Sequence, residues 1–292
     1  MRSKRPLERG DARVAGNQTQ SAELHSCDRQ GKLSVISLGP GHRSYIPRQA
    51  LDALESAETV FGYKTYLDLI ADLLQNKTVF SSGMRKEVER CRGAIEQALN
   101  GLNVALISSG DAGIYGMAGL VLDICKEMQI KVLGWDEEDP GGAPGFLLRV
   151  IPGIAAFNAA ASLLGAPLMH DFASVSLSDY LTPWDLIERR LSAAAEADFV
   201  LAIYNPRSRS RPDLLEKARQ IVLRHRPPET PAAVVRRAMR RGQWKHLTTI
   251  GFLPVEEVDM QSVVIVGNSR TYVWSGWMVT PRGYLDKYSL SP

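Results

Sequence analysis

From Lys32 onward, short apolar runs rich in β-branched residues alternate with stretches whose apolar residues recur at helical spacing. The runs predict strands at Leu33–Leu38, Thr59–Tyr63, Lys77–Ser81, Asn103–Ile107 and Leu147–Ile151. The periodic stretches between them predict helices. One is opened by Pro47 and carries Ala50, Leu51, Leu54 and Ala57, and a short one covers Tyr66–Leu74. The clearest spans Met84–Leu99, with Met84, Val88, Cys91, Ile95 and Leu99 on one face. Another follows Tyr115 and carries Met117, Leu120, Val121 and Ile124, and a small-residue helix spans Ala155–Leu164, stopped by Gly165 and Pro167. This alternation predicts βα units in a largely parallel sheet.

The pattern changes near Leu168–Phe172, where a second set begins: strands Ala173–Leu177, Phe199–Tyr204, Ala232–Val235, His246–Ile250 and Ser262–Val266, with helices Trp184–Ala195 and Leu214–Arg224. The fold class is therefore α/β, with two α/β domains at residues 32–168 and 169–292. Residues 1–31 are polar, lack the apolar centre of a signal peptide, and are expected to form a disordered extension. Gly134–Gly145, acidic and then rich in Pro and Gly, is expected to be a loop.

Three strands run straight into a glycine turn and then a helix. They are Leu33-Ser-Val-Ile-Ser-Leu-Gly-Pro-Gly41, Val104-Ala-Leu-Ile-Ser-Ser-Gly-Asp-Ala-Gly-Ile-Tyr-Gly116 and Leu147-Leu-Arg-Val-Ile-Pro-Gly-Ile-Ala-Ala156. Glycine tolerates positive φ and lets a ligand approach the backbone. In open α/β sheets such turns, beyond the carboxyl ends of strands, are where ligands sit. The middle turn adds an acid, Asp111, and an aromatic, Tyr115, so the turns together predict a small-molecule binding rim. Gly39-x-Gly41 is no dinucleotide fingerprint, because the third glycine and the acid about twenty residues on are missing.

The 292-residue chain carries a net charge of only +3, which excludes an electrostatic nucleic-acid binder at the level of the whole protein. The charge is uneven: ten arginines between Arg207 and Arg241 face three acids, Asp213, Glu216 and Glu229, which suggests an anionic partner or else a merely solvated basic face. Cys27, Cys91 and Cys125 are far apart without CxxC spacing, so neither disulfides nor a zinc site is implied and a reducing cytoplasm fits. Cys91 reads as core. The histidines show no metal spacing, and no apolar run approaches the length of a membrane span.

Six segments then carry a resemblance: Leu38-Gly-Pro-Gly41, Gly62-Tyr-Lys-Thr-Tyr66, Ser109-Gly-Asp-Ala-Gly-Ile-Tyr-Gly-Met-Ala118, Ile151-Pro-Gly-Ile-Ala-Ala-Phe-Asn-Ala159, Ser176-Leu-Ser-Asp-Tyr-Leu-Thr-Pro-Trp184 and Ile203-Tyr-Asn-Pro-Arg-Ser208. In this order, over roughly Lys32 to Tyr284, the chain resembles the tetrapyrrole methylases of cobalamin biosynthesis, the class III S-adenosylmethionine-dependent methylases. The last two segments point to the precorrin-3B C(17)-methyltransferase or cobalt-factor III methyltransferase type. The resemblance implies a cleft between the two domains that binds S-adenosylmethionine and releases S-adenosylhomocysteine, a homodimer, a cytoplasmic location and an anionic tetrapyrrole substrate. Transfer would be to C-17 with ring contraction. It also implies cofactor contacts at Pro40, at Gly110, Asp111, Ile114 and Tyr115, at Ala155 and Ala156, and at Tyr204 and Asn205. Two departures from the family pattern stand out: Gly-Asp-Ala replaces Gly-Asp-Pro, and Ala155 replaces a hydroxyl residue.

Methyl transfer from a sulfonium to carbon is an in-line displacement that needs alignment and exclusion of water rather than a nucleophile–base pair, and no such pair is evident. A macrocycle with many carboxylates calls for arginine forks, for which Arg207 and Arg209, then Arg236 and Arg237, are the candidates. Each also reads as surface solubility. Asp179 reads either as an acid or base for ring contraction or as the N-cap ahead of Trp184. His42 reads as a ligand contact or as an exposed loop histidine. Two alternatives stay open: a methyltransferase of the same superfamily acting on another precorrin, on RNA or on protein, and a catalytically silent tetrapyrrole-binding protein.

Overall fold

The computed structural model describes residues 30–137, 145–208 and 210–289. The expected extension 1–31 falls almost wholly outside these, as do residues 138–144 of the expected Gly134–Gly145 loop. Among the described residues the first six strands are β1 (Lys32–Ser37), β2 (Thr59–Tyr63), β3 (Thr78–Ser82), β4 (Asn103–Ser108), β5 (Lys131–Gly134) and β6 (Gly145–Ile151). They form one sheet in the order β3-β2-β4-β1-β6-β5, and every neighbouring pair is parallel. The central strands β1 and β4 are buried almost without interruption, as expected for strands covered on both faces. Side chains alternate between the faces: Leu33 and Val35 pack with α3 (Glu87–Leu99) and α4 (Ala118–Glu127), whereas Ile36 and Leu38 pack with α1 (Arg48–Ser56) and α2 (Lys64–Asp68).

After α5 (Ala156–Leu164) and the two-residue β7 (Gly165–Ala166) come β8 (Phe172–Ser176), β9 (Val200–Tyr204), β10 (Pro231–Arg236), β11 (Trp244–Thr249) and β12 (Ser262–Val266). These last five form a second sheet, ordered β11-β10-β12-β9-β8. It is mixed. The β8–β9 pair, joined through α6 (Trp184–Glu196), is parallel, and the pairs of β10 with β11 and β12, and of β12 with β9, are antiparallel. Only two short 3-10 turns, at Ile250–Phe252 and Val255–Glu257, and no α-helix intervene between β10 and β12, and short connections return a strand antiparallel to its neighbour. Helices α6 and α7 (Leu214–Leu223) cover one face of this sheet. The other face is covered by α5, whose Phe157, Ala160, Ala161 and Leu164 pack with Val200, Ala202, Ala233, Val235 and Ile265. The small side chains of α5 therefore serve the second sheet, although the helix precedes Met169. A hairpin, β13 (Tyr272–Trp274) with β14 (Trp277–Val279), pairs with β7, and α8 (Tyr284–Lys287) follows. No helix of the described residues is long and apolar enough to cross a membrane.

Two expected helices change shape: the one expected at Tyr66–Leu74 is α2 at Lys64–Asp68 followed by a 3-10 turn at Ala71–Leu73, and α3 starts late. α3 begins at Glu87 rather than Met84, and Met84 and Val88 are 66% and 54% exposed. Arg85 takes a left-handed φ of 65° and its N–H donates to the Glu87 carboxylate at 3.2 Å, so the chain turns before the helix starts. Arg90, buried on α3, then holds that turn through Ser82 Oγ at 2.8 Å and the Gly83 carbonyl at 3.1 Å. Cys91 is core: fully buried, with burial pushing its thiol up to about 12. Phe146, fully buried on β6, packs in the same cluster as Leu33, Leu106 and Ile95. Phe146→Ala is expected to destabilise the protein by about 3–5 kcal/mol, read by denaturant unfolding.

Candidate active site

Strands β4, β1 and β6 are adjacent and parallel, so their carboxyl ends, and the three glycine turns that follow, emerge at one edge. The turns bind one another directly. Gly39 and Gly110 form a two-residue bridge, with N–H to O distances of 3.0 and 2.7 Å, both at positive φ. Asp111 ties in the third turn: one carboxylate oxygen accepts from Gly113 N–H at 2.8 Å and the other from Gly153 N–H at 2.9 Å. Ala112 N–H donates to Ser37 Oγ at 2.8 Å, a bond that proline at this position could not make.

The edge opens into a crevice of about 410 Å³ that also takes in residues of the second sheet. Of the residues singled out from the sequence, Pro40, Gly110, Asp111, Ile114, Tyr115, Ala156, Tyr204 and Asn205 line it. Ala155 does not. It is buried as the N-cap of α5, so a hydroxyl there would not face the crevice. Tyr115, at φ 54°, crosses to the second sheet: its hydroxyl donates to the Ser174 carbonyl at 3.1 Å, and its ring lies 5.1 Å from that of Tyr204. Tyr204 at the end of β9 accepts Phe157 N–H at 3.0 Å, and burial pushes its phenol up to about 12. Asn205 is held left-handed, at φ 50°, with its amide donating to Ser176 Oγ at 2.9 Å.

The arginine candidates divide. Arg237 lines the crevice. Arg207 instead pairs with Glu256 at 2.6 Å and the Val255 carbonyl at 2.9 Å, and Arg236 stacks on Trp244 at 5.2 Å; neither faces the crevice. Arg209 lies outside the described residues. Asp179 is not among the residues lining the crevice and pairs with Arg211 at 2.7 Å; the cap of α6 is Pro183, which removes the N-cap reading of Asp179. His42 sits in an exposed loop, where Ser44 N–H donates to its Nδ1 at 3.3 Å. The sequence reading missed Arg240, Met84 and Tyr66 on the crevice wall. Tyr66 closes the segment Gly62–Tyr66, a signal that could have found it, whereas only their place in the fold brings Arg240 and Met84 there.

The crevice suits a compact amphiphilic ligand bearing a sulfonium. A Cβ built on Gly110 would meet only Ala156 N, at 3.8 Å, so the backbone there is open to a ligand. The paired rings of Tyr115 and Tyr204 offer electron-rich faces to a cation. The volume lies within the usual range for small-molecule sites.

Comparison with known proteins agrees with this geometry. The chain is 52% identical, over 86% of its length and 99% of the relative's, to a probable cobalt-factor III C(17)-methyltransferase of Salmonella typhimurium. It is 47% identical to a cobalt-factor III methyltransferase of Priestia megaterium over 90% of this chain, spanning about half (47%) of that longer protein. A crystal structure of the methyltransferase CobJ superposes with a TM-score of 0.77 at 33% identity, covering 86% of this chain and all (100%) of that one. The sequence model of the family described as Tetrapyrrole (Corrin/Porphyrin) Methylases matches residues 32–253, and the chain belongs to that family.

Proposed function

We propose that the crevice binds S-adenosylmethionine against cobalt-factor III and that the protein methylates C-17 of this ring, with ring contraction, in cobalamin biosynthesis. The observation that carries the reading is the meeting of three glycine turns, joined by the Gly39–Gly110 bridge and by Asp111, in a crevice faced by Tyr115 and Tyr204. The relatives' names supply the substrate. The protein is further read as a cytoplasmic homodimer of two α/β domains, at residues 32–168 and 169–292, with α5 contributing its packing to the second.

When bound, S-adenosylmethionine supplies a methyl group on a positively charged sulfur. The work left to the chain is alignment and the exclusion of water. Gly110 keeps the rim free of a side chain, so that backbone can meet the donor directly, while Gly39 and Gly153 let the turns pack closely enough to form that rim. Tyr115 and Tyr204 close one side, and the Tyr204 phenol keeps its proton through neutral pH, so it adds no negative charge to the crevice wall. Pro40, Ile114, Ala156 and Asn205 complete the donor side, and Arg237 faces the acceptor.

Incubation with S-adenosylmethionine and cobalt-factor III is expected to give a ring-contracted product with one further methyl, identified by mass spectrometry. Parallel incubation with metal-free precorrin-3B tests the alternative acceptor. No methyl incorporation into either macrocycle would end this reading.

A further inference from the structure

Most of the arginines that make the second half of the chain basic are already engaged. Arg207 pairs with Glu256, Arg211 with Asp179, Arg219 with Glu216 and Arg224 with Glu188, while Arg226 is buried against backbone carbonyls of Gly267, Ala195 and Phe199. Arg237 and Arg240 differ. Both line the crevice, and among the described residues neither is ion-paired to a carboxylate. Arg237 Nε donates to Gln261 Oε1 at 2.9 Å and Arg240 Nε donates to the Pro40 carbonyl. Among the lining residues the acid is Asp111, whose two oxygens already accept backbone N–H groups.

The turn that carries them is built at a cost in strain. Arg237 and Met239, neither of them glycine, sit at φ 51° and 59°. The conformation is held by Arg237 N–H on the Gln261 carbonyl at 3.0 Å, Met239 N–H on Gln243 Oε1 at 2.9 Å and Arg240 N–H on the Arg237 carbonyl at 3.0 Å. Left-handed non-glycine residues persist where the surroundings over-determine them, commonly at ligand sites. Gly41 makes room on the other side, since a Cβ there would stand 3.1 Å from Arg240 Nε. Burial lowers the Arg240 pKa below the ordinary arginine value; the neighbouring Tyr66 partly offsets this and the Arg237 charge adds to it. A partly desolvated cation with no counter-charge favours an anion.

We propose that Arg237 and Arg240 form a two-guanidinium seat for a peripheral carboxylate of the macrocycle, fixing which way round the ring enters the crevice. The inference rests on the function proposed above. A macrocycle bearing several carboxylates suits this seat better than the zwitterionic head of the methyl donor. That head would bring an ammonium beside two guanidiniums, with only the engaged Asp111 to receive it.

The test uses the full chain, its Arg237→Gln, Arg240→Gln and Arg240→Lys variants, and two macrocycles: cobalt-factor III and a derivative with its carboxylates converted to amides. Macrocycle affinity is read by absorbance titration and S-adenosylhomocysteine affinity by calorimetry. Each Gln variant is expected to weaken cobalt-factor III binding about tenfold or more and to leave S-adenosylhomocysteine within about twofold, with Arg240→Lys intermediate. The amide derivative should bind wild type about as weakly as cobalt-factor III binds Arg240→Gln, with no further loss in the variant. S-adenosylhomocysteine affinity falling in parallel, or cobalt-factor III affinity unchanged in both Gln variants, would overturn the seat. Should Arg240→Gln unfold, Arg237→Gln carries the test, because its side-chain partner is an exposed glutamine. Wild type that methylates cobalt-factor III while the variants bind it normally would sink this inference alone; wild type that neither binds nor methylates it would sink the function.

Discussion

Gly153→Ala is expected to reduce methyl transfer about 100-fold or more while the protein stays folded. The backbone at Gly153 is not left-handed, so the requirement for glycine there is purely one of space. An added Cβ would lie 2.5 Å from the Gly110 carbonyl oxygen, 2.6 Å from Ser37 Cβ and 3.2 Å from Gly39 N. Two of these neighbours are backbone atoms of the other glycine turns, which cannot swing away as a flexible side chain would. Relief must come from parting the turns, which lengthens the Gly39–Gly110 bridge and pulls Gly153 N–H off Asp111. Overpacking of this kind costs about 1–3 kcal/mol in stability. The larger loss falls on binding, because displacement of about 1 Å at the reacting centre alone costs about two orders of magnitude in rate. Calorimetry with S-adenosylhomocysteine, set beside denaturant unfolding, separates the two. An alanine variant with wild-type affinity would show that the turns can spread without consequence.

The same three turns mark how far the sequence could be read. Each strand–turn–helix unit was legible on its own, because buried parallel strands are continuous apolar runs and glycine punctuates their ends. Their adjacency was not legible. β2 and β3 intervene in sequence between β1 and β4, yet β4 pairs directly with β1 in space. The start of α3 was missed because Met84 and Val88 happen to continue the apolar spacing, whereas the left-handed Arg85 ends the pattern for a reason that lies in the turn. The mixed second sheet was missed because apolar spacing does not record strand direction. Arginine count proved a poor guide to arginine role: Arg207 stands in a suggestive motif and Arg236 in an arginine pair, but they are spent on Glu256 and Trp244. Arg240 has no motif, and reaches the crevice only because the β10–β11 connection lies against Pro40, a contact 200 residues apart in sequence.

Asp111→Ala is the second large effect expected, with S-adenosylhomocysteine affinity falling about 30–100-fold and stability falling only about 1–2 kcal/mol. The carboxylate is the strut between two turns rather than a group standing free in the crevice, since both of its oxygens are occupied by N–H donors at 2.8 and 2.9 Å. Hydrogen bonds to a charged acceptor are each worth about 1.5–3 kcal/mol, and removing this one carboxylate breaks two of them at once. The loss appears mainly in binding because the freed amides of Gly113 and Gly153 can turn to water, while the rim they shaped loses its preorganisation. Asp111→Asn sharpens the test. The amide keeps one acceptor oxygen but points an NH₂ group at the other backbone N–H, so asparagine is expected to recover little over alanine. Amide hydrogen exchange of the ligand-free protein gives the independent readout: Gly113 and Gly153 should exchange faster in both variants. Unchanged exchange at those two amides, with affinity still lost, would mean that Asp111 acts by touching the ligand itself and that the strut contributes nothing.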